Sequence, residues 1–159
     1  MKLLLLKELP KQKIIDFFHL HWGSPKMVIS SGIYDCSTLD GFTMIDEEEK
    51  IIGLITYIMK NNECEIISLD SIEEDKGIGT SLVQEVERVA YQNKCKRIKL
   101  ITTNDNLLAL KFYQKRGFEL SKIHKNAVQH ARRIKPEIPL IGHDGIPLRD
   151  EIEMKKVLS

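Results

Sequence analysis

The sequence predicts an α+β fold built on a mixed, mostly antiparallel sheet with a central parallel strand pair flanked by helices. Three observations predict it. Residues 41–70 read GFTMID, EEEK, IIGLITYIMK, NNE and CEIISLD, three apolar runs joined by short polar turns. That is the pattern of an antiparallel meander. The period then changes, and Ile78, Leu82, Val83, Val86, Val89 and Ala90 recur at helical spacing. The β-rich run RIKLITT follows, and a strand, a helix of ten or more residues and another strand form a crossover, which favours a parallel pair.

The elements follow in order. Leu3 to Leu9 reads as a strand stopped by Pro10. KQKIIDFFHLHW sets Ile14, Ile15, Phe18 and Trp22 on a helical face. Residues 23–40, rich in Gly, Ser, Pro and Asp, read as irregular structure with room for a short helix. After the meander and the crossover, NLLALKFYQKR is a second amphipathic helix ended by Gly117, and FELSKIH is a strand. The last 35 residues carry Pro136, Pro139, Gly142, Gly145 and Pro147, so a long loop region is expected, with a short helix near Ala127–Ile134 and a final strand in RDEIEMKKVL.

At 159 residues the chain is long enough to bury a core and is expected to form a single domain over 1–159. Its net charge of +1 gives no bulk attraction to nucleic acid or membrane, and neither is expected as a partner. No apolar run approaches the roughly 20 residues that span a bilayer. Cys36, Cys64 and Cys95 are odd in number and unlike metal-binding pairs, so they read as reduced, and no metal is expected. These features point to a cytoplasmic protein.

The stretch SLDSIEEDKGIGTSLVQEVERVA holds the most chemistry. A strand runs into a loop, and a helix starts at Gly77. Backbone N–H groups at a helix start, together with the helix dipole, favour an anion such as phosphate. Gly77 and Gly79 let a ligand approach the main chain closely, and Thr80 and Ser81 add hydroxyls. A Walker loop is absent, and Leu82 stands where a dinucleotide fingerprint needs its third glycine. A glycine-rich turn with no ligand is the alternative.

About 30 residues on, NDNLLALKFYQKRGF supplies Asn106, Ala109, Tyr113, Gly117 and Phe118. DKGIGTSLV followed by N-x-x-A-x-x-x-Y-x-x-x-G-F resembles the acetyl-CoA-binding core of the GNAT superfamily of N-acetyltransferases. The two motifs cover roughly residues 65–120. The sequence departs from the family at Glu74, where Arg or Gln is usual, between Glu73 and Asp75. Lys76 partly offsets those acids, and acids also suit a helix start.

The resemblance implies direct transfer of an acetyl group from acetyl-CoA to a primary amine of a small molecule or peptide. Gly77, Ile78, Gly79 and Thr80 would hold the pyrophosphate through backbone N–H groups, with Lys76 and Ser81 beside them. Leu69 and Ser71 would pair with the pantetheine arm, and the Leu69 N–H would face the thioester oxygen. Asn106 would bind the pantetheine or cap its helix. Tyr113, a phenol with a pKa of about 10, would protonate a leaving thiolate whose pKa is about 8.5. A core tyrosine is the alternative there. Glu65, four residues before Leu69, is the candidate base for the acceptor amine, with His21 or water as other candidates. In that fold the carboxy-terminal region borders the acceptor, so Arg132 and Arg133 are candidates for recognising an acidic group, and Trp22 is a further acceptor contact. Sheet edges in such folds often pair, which leaves a homodimer open.

Overall fold

Four leucines open a strand, but the strand ends before they do. The computed structural model describes residues 1–72 and 76–158. Strand β1 is Lys2–Leu5, and Leu6–Glu8 form a turn of 3-10 helix that buries Leu6. Glu8 stops the strand by accepting the Leu5 N–H at 2.8 Å. Helix α1 (Lys11–Trp22) buries Ile14, Phe17 and Phe18 and ends at Gly23, whose φ of 82° is left-handed.

Residues 23–40 carry more order than their composition predicts. Strands β2 (Lys26–Ile29) and β3 (Gly32–Asp35) pair as a separate two-stranded sheet. Their runs KMVI and GIYD are each four residues long, too short for an alternating pattern to stand out among serines and glycines. A 3-10 turn, Cys36–Thr38, follows, with Ser37 N–H donating to Asp35 Oδ1 at 3.0 Å.

The meander is present as β4 (Asp40–Ile45), β5 (Ile51–Lys60) and β6 (Glu63–Ser71). Helix α2 (Ile78–Gln92) and β7 (Arg97–Thr103) complete the crossover. Then come α3 (Leu107–Gln114), β8 (Glu119–His124), α4 (Ala127–Ile134) and β9 (Glu151–Val157). The sheet is mixed and mostly antiparallel with one parallel pair, the class expected.

The chain divides into two compact units. In the first are β1, α1, β4, β5, β6 and α2; in the second are α3, β8, α4 and β9. The first unit pairs β1, β4, β5 and β6 antiparallel in that order. Ile78, Leu82, Val83, Val86 and Ala90 of α2 are all buried, the stripe read from the sequence.

Gly53 sets how closely α2 sits on β5. A Cβ at that position would lie 2.4 Å from Ile78 Cγ2 and 3.1 Å from Leu82 Cδ1. Gly53→Ala should therefore destabilise the protein by about 1–3 kcal/mol. Urea unfolding measures it, and no loss would mean that α2 can shift away freely.

Strand β6 contains a β-bulge. Ser68 pairs with Thr56 and Ile66 with Tyr57, so Ile67 is the extra residue. The bulge reverses which side chains share a face, and Glu65 comes to lie on the same face as Ser68 and Asp70. In a regular strand it would share the face of Leu69.

In the second unit β8 and β9 pair antiparallel, and Tyr113, Phe118, Val128, Ala131 and Met154 are buried. The tail loop is tied down by polar contacts. Asp105 is buried, accepts Thr103 Oγ1 through Oδ1, and accepts the His143 N–H through Oδ2 at 2.9 Å. Among the described residues no helix is long and apolar enough to cross a membrane.

Candidate active site

The end of β6 presents its main chain away from β5. Ile72 N–H donates to Ile52 O at 2.9 Å, which marks a hydrogen-bonded pair. In an antiparallel ladder such pairs alternate with non-bonded ones. With Ser71 opposite Gly53, Asp70 opposite Leu54 and Leu69 opposite Ile55, the N–H and C=O groups of Leu69 and Ser71 point away from β5. The family resemblance implies that these two residues pair with an extended ligand arm, and a strand-like arm needs main-chain groups so directed.

After β6 the first unit supplies the start of α2. Glu73, Glu74 and Asp75 lie outside the described residues. Lys76 and Gly77 are exposed. Gly77 is the N-cap, at φ 70°, and nothing lies within 4 Å of where its Cβ would be. The loop thus has open space in front of it, and an L side chain there would be strained. The Ser81 N–H donates to Gly77 O at 2.9 Å, the first turn of the helix ladder. The amides of Ile78, Gly79 and Thr80 precede that bond, so the helix offers them no acceptor. No acidic side chain stands in the first helical turn to neutralise its partial positive charge. These residues fit a diphosphate.

A polar cluster that the sequence reading missed lies on the other face of β6. Thr56 Oγ1 and Ser68 Oγ are 2.6 Å apart, and Cys36 hydrogen-bonds to both. Burial pushes the Cys36 thiol up to about 11, so it stays protonated and unreactive at neutral pH. Beside them the Trp22 indole N–H donates to Asp70 Oδ1 at 2.8 Å. Asp70 Oδ2 is buried and has no hydrogen-bond partner among the described residues. Burial raises the Asp70 carboxyl to about 6, although the Trp22 hydrogen bond and His21 both act to lower it. The signal was present in the sequence: Ser68 and Asp70 alternate with Ile67 and Leu69, a polar face inside an otherwise apolar strand.

Glu65 is 5% exposed and is already engaged in an interaction. Because of the bulge it lies three partner steps from Leu69 along the strand, Ile58 against Ile55, or roughly 10 Å at about 3.3 Å per step.

In the second unit Asn106 Oδ1 accepts the Ala109 N–H at 3.1 Å, so Asn106 caps α3. Tyr113, in the last turn of that helix, is 6% exposed. Its ring meets Phe112 and Phe118 edge-on, with centroids 5.1 and 5.3 Å away. Arg132 is half-buried; Nε donates to Ile138 O at 3.0 Å, and Nη2 to Pro139 O at 2.8 Å and Leu148 O at 2.9 Å. Its guanidinium holds the tail loop, whereas Arg133 is exposed.

One family profile spans residues of both units. The profile of the Acetyltransferase (GNAT) family matches residues 12–118. The chain belongs to that family. The Bacillus subtilis protein YxbD is 54% identical over 152 residues, 96% of each chain. The structure of an IAA acetyltransferase from Bacillus cereus superposes with a TM-score of 0.72 at 19% identity, over 99% of this chain and 100% of that one. A GNAT family acetyltransferase from Elizabethkingia anophelis, solved with acetyl-CoA bound, gives a TM-score of 0.66 at 24% identity, over 77% and 78% of the two chains. The profile covers both Gly77–Gly79 and Tyr113.

A cavity of about 500 Å³ in the first unit is lined by Leu6, Leu9, Ile14, Leu39, Asp40 and Tyr57, among others. None of the residues assigned to the cofactor or to catalysis lines it.

Proposed function

We propose that this GNAT protein is an acetyl-CoA-dependent N-acetyltransferase that moves the acetyl group directly to a primary amine, in the cytosol. The observation that carries the reading is the end of β6, where Leu69 and Ser71 direct their main-chain groups away from β5 shortly before α2, whose first turn carries no acidic residue. Main-chain groups so directed suit an amide-bearing arm, and the amides of Ile78, Gly79 and Thr80 suit the diphosphate that follows it. Lys76 adds a positive charge and Ser81 a hydroxyl.

Acetyl-CoA supplies an acetyl group activated as a thioester. The Leu69 N–H is aimed to stabilise negative charge on the thioester oxygen as the amine attacks. Tyr113 acts as general acid and gives its phenolic proton to the departing thiolate. Asn106 fixes the start of the helix that carries Tyr113. Trp22 belongs to the acceptor side through its bond to Asp70. The acceptor is a small-molecule or peptide amine.

A melting experiment tests the reading. Acetyl-CoA and CoA should each raise the melting temperature, and at about 100 times the dissociation constant the stabilisation is about 2.7 kcal/mol. ATP and NAD should leave it unchanged. A shift with ATP or NAD but not with CoA would assign the glycine loop to a nucleotide. Stabilisation by CoA with no acetyl transfer to any amine would make the chain a CoA-binding sensor instead.

A further inference from the structure

Asp70 has no task in the transfer described above, yet it is held in an unfavourable state. One carboxylate oxygen is used by Trp22, and the other is buried with no donor. An ionised oxygen closed off from water without a partner costs free energy. Such a state persists where the surrounding structure imposes it, and it is found where a ligand completes it. Trp22 imposes it here. Its indole N–H fixes Oδ1 and so fixes the direction of Oδ2. The position is also apt, because Asp70 directly follows Leu69, with Cα atoms about 3.8 Å apart. The residue as a whole keeps partial exposure at the end of β6, next to the exposed Ser71.

We propose that Asp70 Oδ2 receives the ammonium group of the acceptor and takes a proton from it, so that the acceptors are alkylamines charged at neutral pH. This rests on the acetyltransferase reading and deepens it. It also moves the base from Glu65 to Asp70. Glu65 lies three residue pairs away along the strand, whereas Asp70 adjoins Leu69 and its Oδ2 has no partner among the described residues.

The proton balance closes. The ammonium nitrogen gives one proton to Asp70 Oδ2, and its freed lone pair forms the C–N bond at the acetyl carbonyl carbon. The nitrogen then loses its second surplus proton, the C–S bond breaks, and the thiolate takes a proton from Tyr113. The proton from nitrogen restores the tyrosine, and Asp70 returns its own to solvent. The products are an amide, CoA thiol and one proton. No oxidant or metal is required.

Among the described residues, the titratable groups around Asp70 are as follows. From α1, His21 favours the carboxylate. From the segment after β3 comes the Cys36 thiol, which stays neutral. From β5 and β6 come the uncharged hydroxyls of Thr56 and Ser68. A carboxyl raised by burial to about 6 is ionised at neutral pH and is still a better base than an exposed aspartate.

The test is Asp70→Asn, assayed by thiol release from acetyl-CoA with ethanolamine, lysine, spermidine and an alanyl peptide. Asparagine keeps an oxygen for Trp22 and loses the base. With whichever amine the wild type acetylates best, turnover at pH 7.5 should fall about 100-fold or more. The pH profile separates a base from a prop. Wild-type kcat/KM should level above about pH 6. The variant's should keep climbing, roughly tenfold per pH unit, with the free-amine fraction of the acceptor. Turnover within threefold of wild type, or a large loss with an unchanged pH profile, overturns the role of Asp70 and leaves the acetyltransferase reading intact. Failure of the wild type to acetylate any amine overturns both.

A second readout needs no acceptor. A carboxyl raised in the folded state contributes stability at low pH that is lost as pH rises through about 6. The melting temperature of Asp70→Asn should therefore gain on wild type between pH 4 and pH 8. A gap that does not change with pH would show that the charge is already satisfied, and would overturn the proposal.

Discussion

Replacing Tyr113 with phenylalanine should lower turnover about 10²–10⁴-fold, the range in which a positioned general acid contributes. Acetyl-CoA affinity should change by no more than about twofold, because the diphosphate and pantetheine contacts assigned above are main-chain groups remote in sequence from the phenol. Folding should survive. The ring is held edge-on by Phe112 and Phe118, and phenylalanine keeps both contacts. The deficit should shrink above pH of about 9, where a thiol of pKa about 8.5 leaves as a stable thiolate without help. Thiol release measured across pH, with binding followed by calorimetry, gives both numbers. Unchanged turnover would leave Tyr113 as a core residue of the second unit and nothing more.

Phe18→Ala should cost about 3–5 kcal/mol of stability, the usual range for emptying a fully buried phenylalanine site. Phe18 has no exposed surface. It packs edge-on against Phe17, 5.9 Å between centroids, and against Trp22 at 6.3 Å. Rigid helix α1 limits how far the cavity can collapse. Phe18→Leu should cost much less, about 1.5 kcal/mol or below, since most of the volume is kept. Chemical denaturation gives both values. The effect should reach the acceptor as well, because Trp22 loses one of its walls and no longer fixes Asp70 firmly. A raised acceptor KM at temperatures where the variant stays folded would register that. A loss under about 1 kcal/mol for the alanine variant would mean that neighbouring side chains fill the space.

Much of the fold was legible because its strongest signals are long. The fifteen residues of α2 repeat their apolar positions over four turns, and each of Ile78, Leu82, Val83, Val86 and Ala90 is buried as read. Strands β5 and β6, ten and nine residues long, stood out as apolar runs. Short elements did not stand out. The β2–β3 hairpin was hidden by its four-residue strands, and β1 stops early because of a side chain, Glu8, that captures a backbone N–H. At the start of α2, Gly77 could be read as a turn into the helix because that is a property of the main chain, which local sequence governs. Asp70 stood on a polar face that the alternation showed, but its state could not be read, because it is set by Trp22, 48 positions away in the chain. Arg132 was read as a substrate contact from its charge, and its guanidinium is spent on three carbonyl groups of the tail that only tertiary structure brings to it.

The extra residue in β6 has a consequence for diversification. Because Ile67 takes up the register change, the segments on either side of it answer to different demands. On the proposed reading positions 68–71 answer to the coenzyme, whereas Cys64, Glu65 and Ile66, all buried, answer to the packing of neighbouring layers. A protein engineer grafting a foreign sequence onto the earlier half, with that one insertion retained, should be able to alter the surroundings of the nucleophile without retuning how the donor is held.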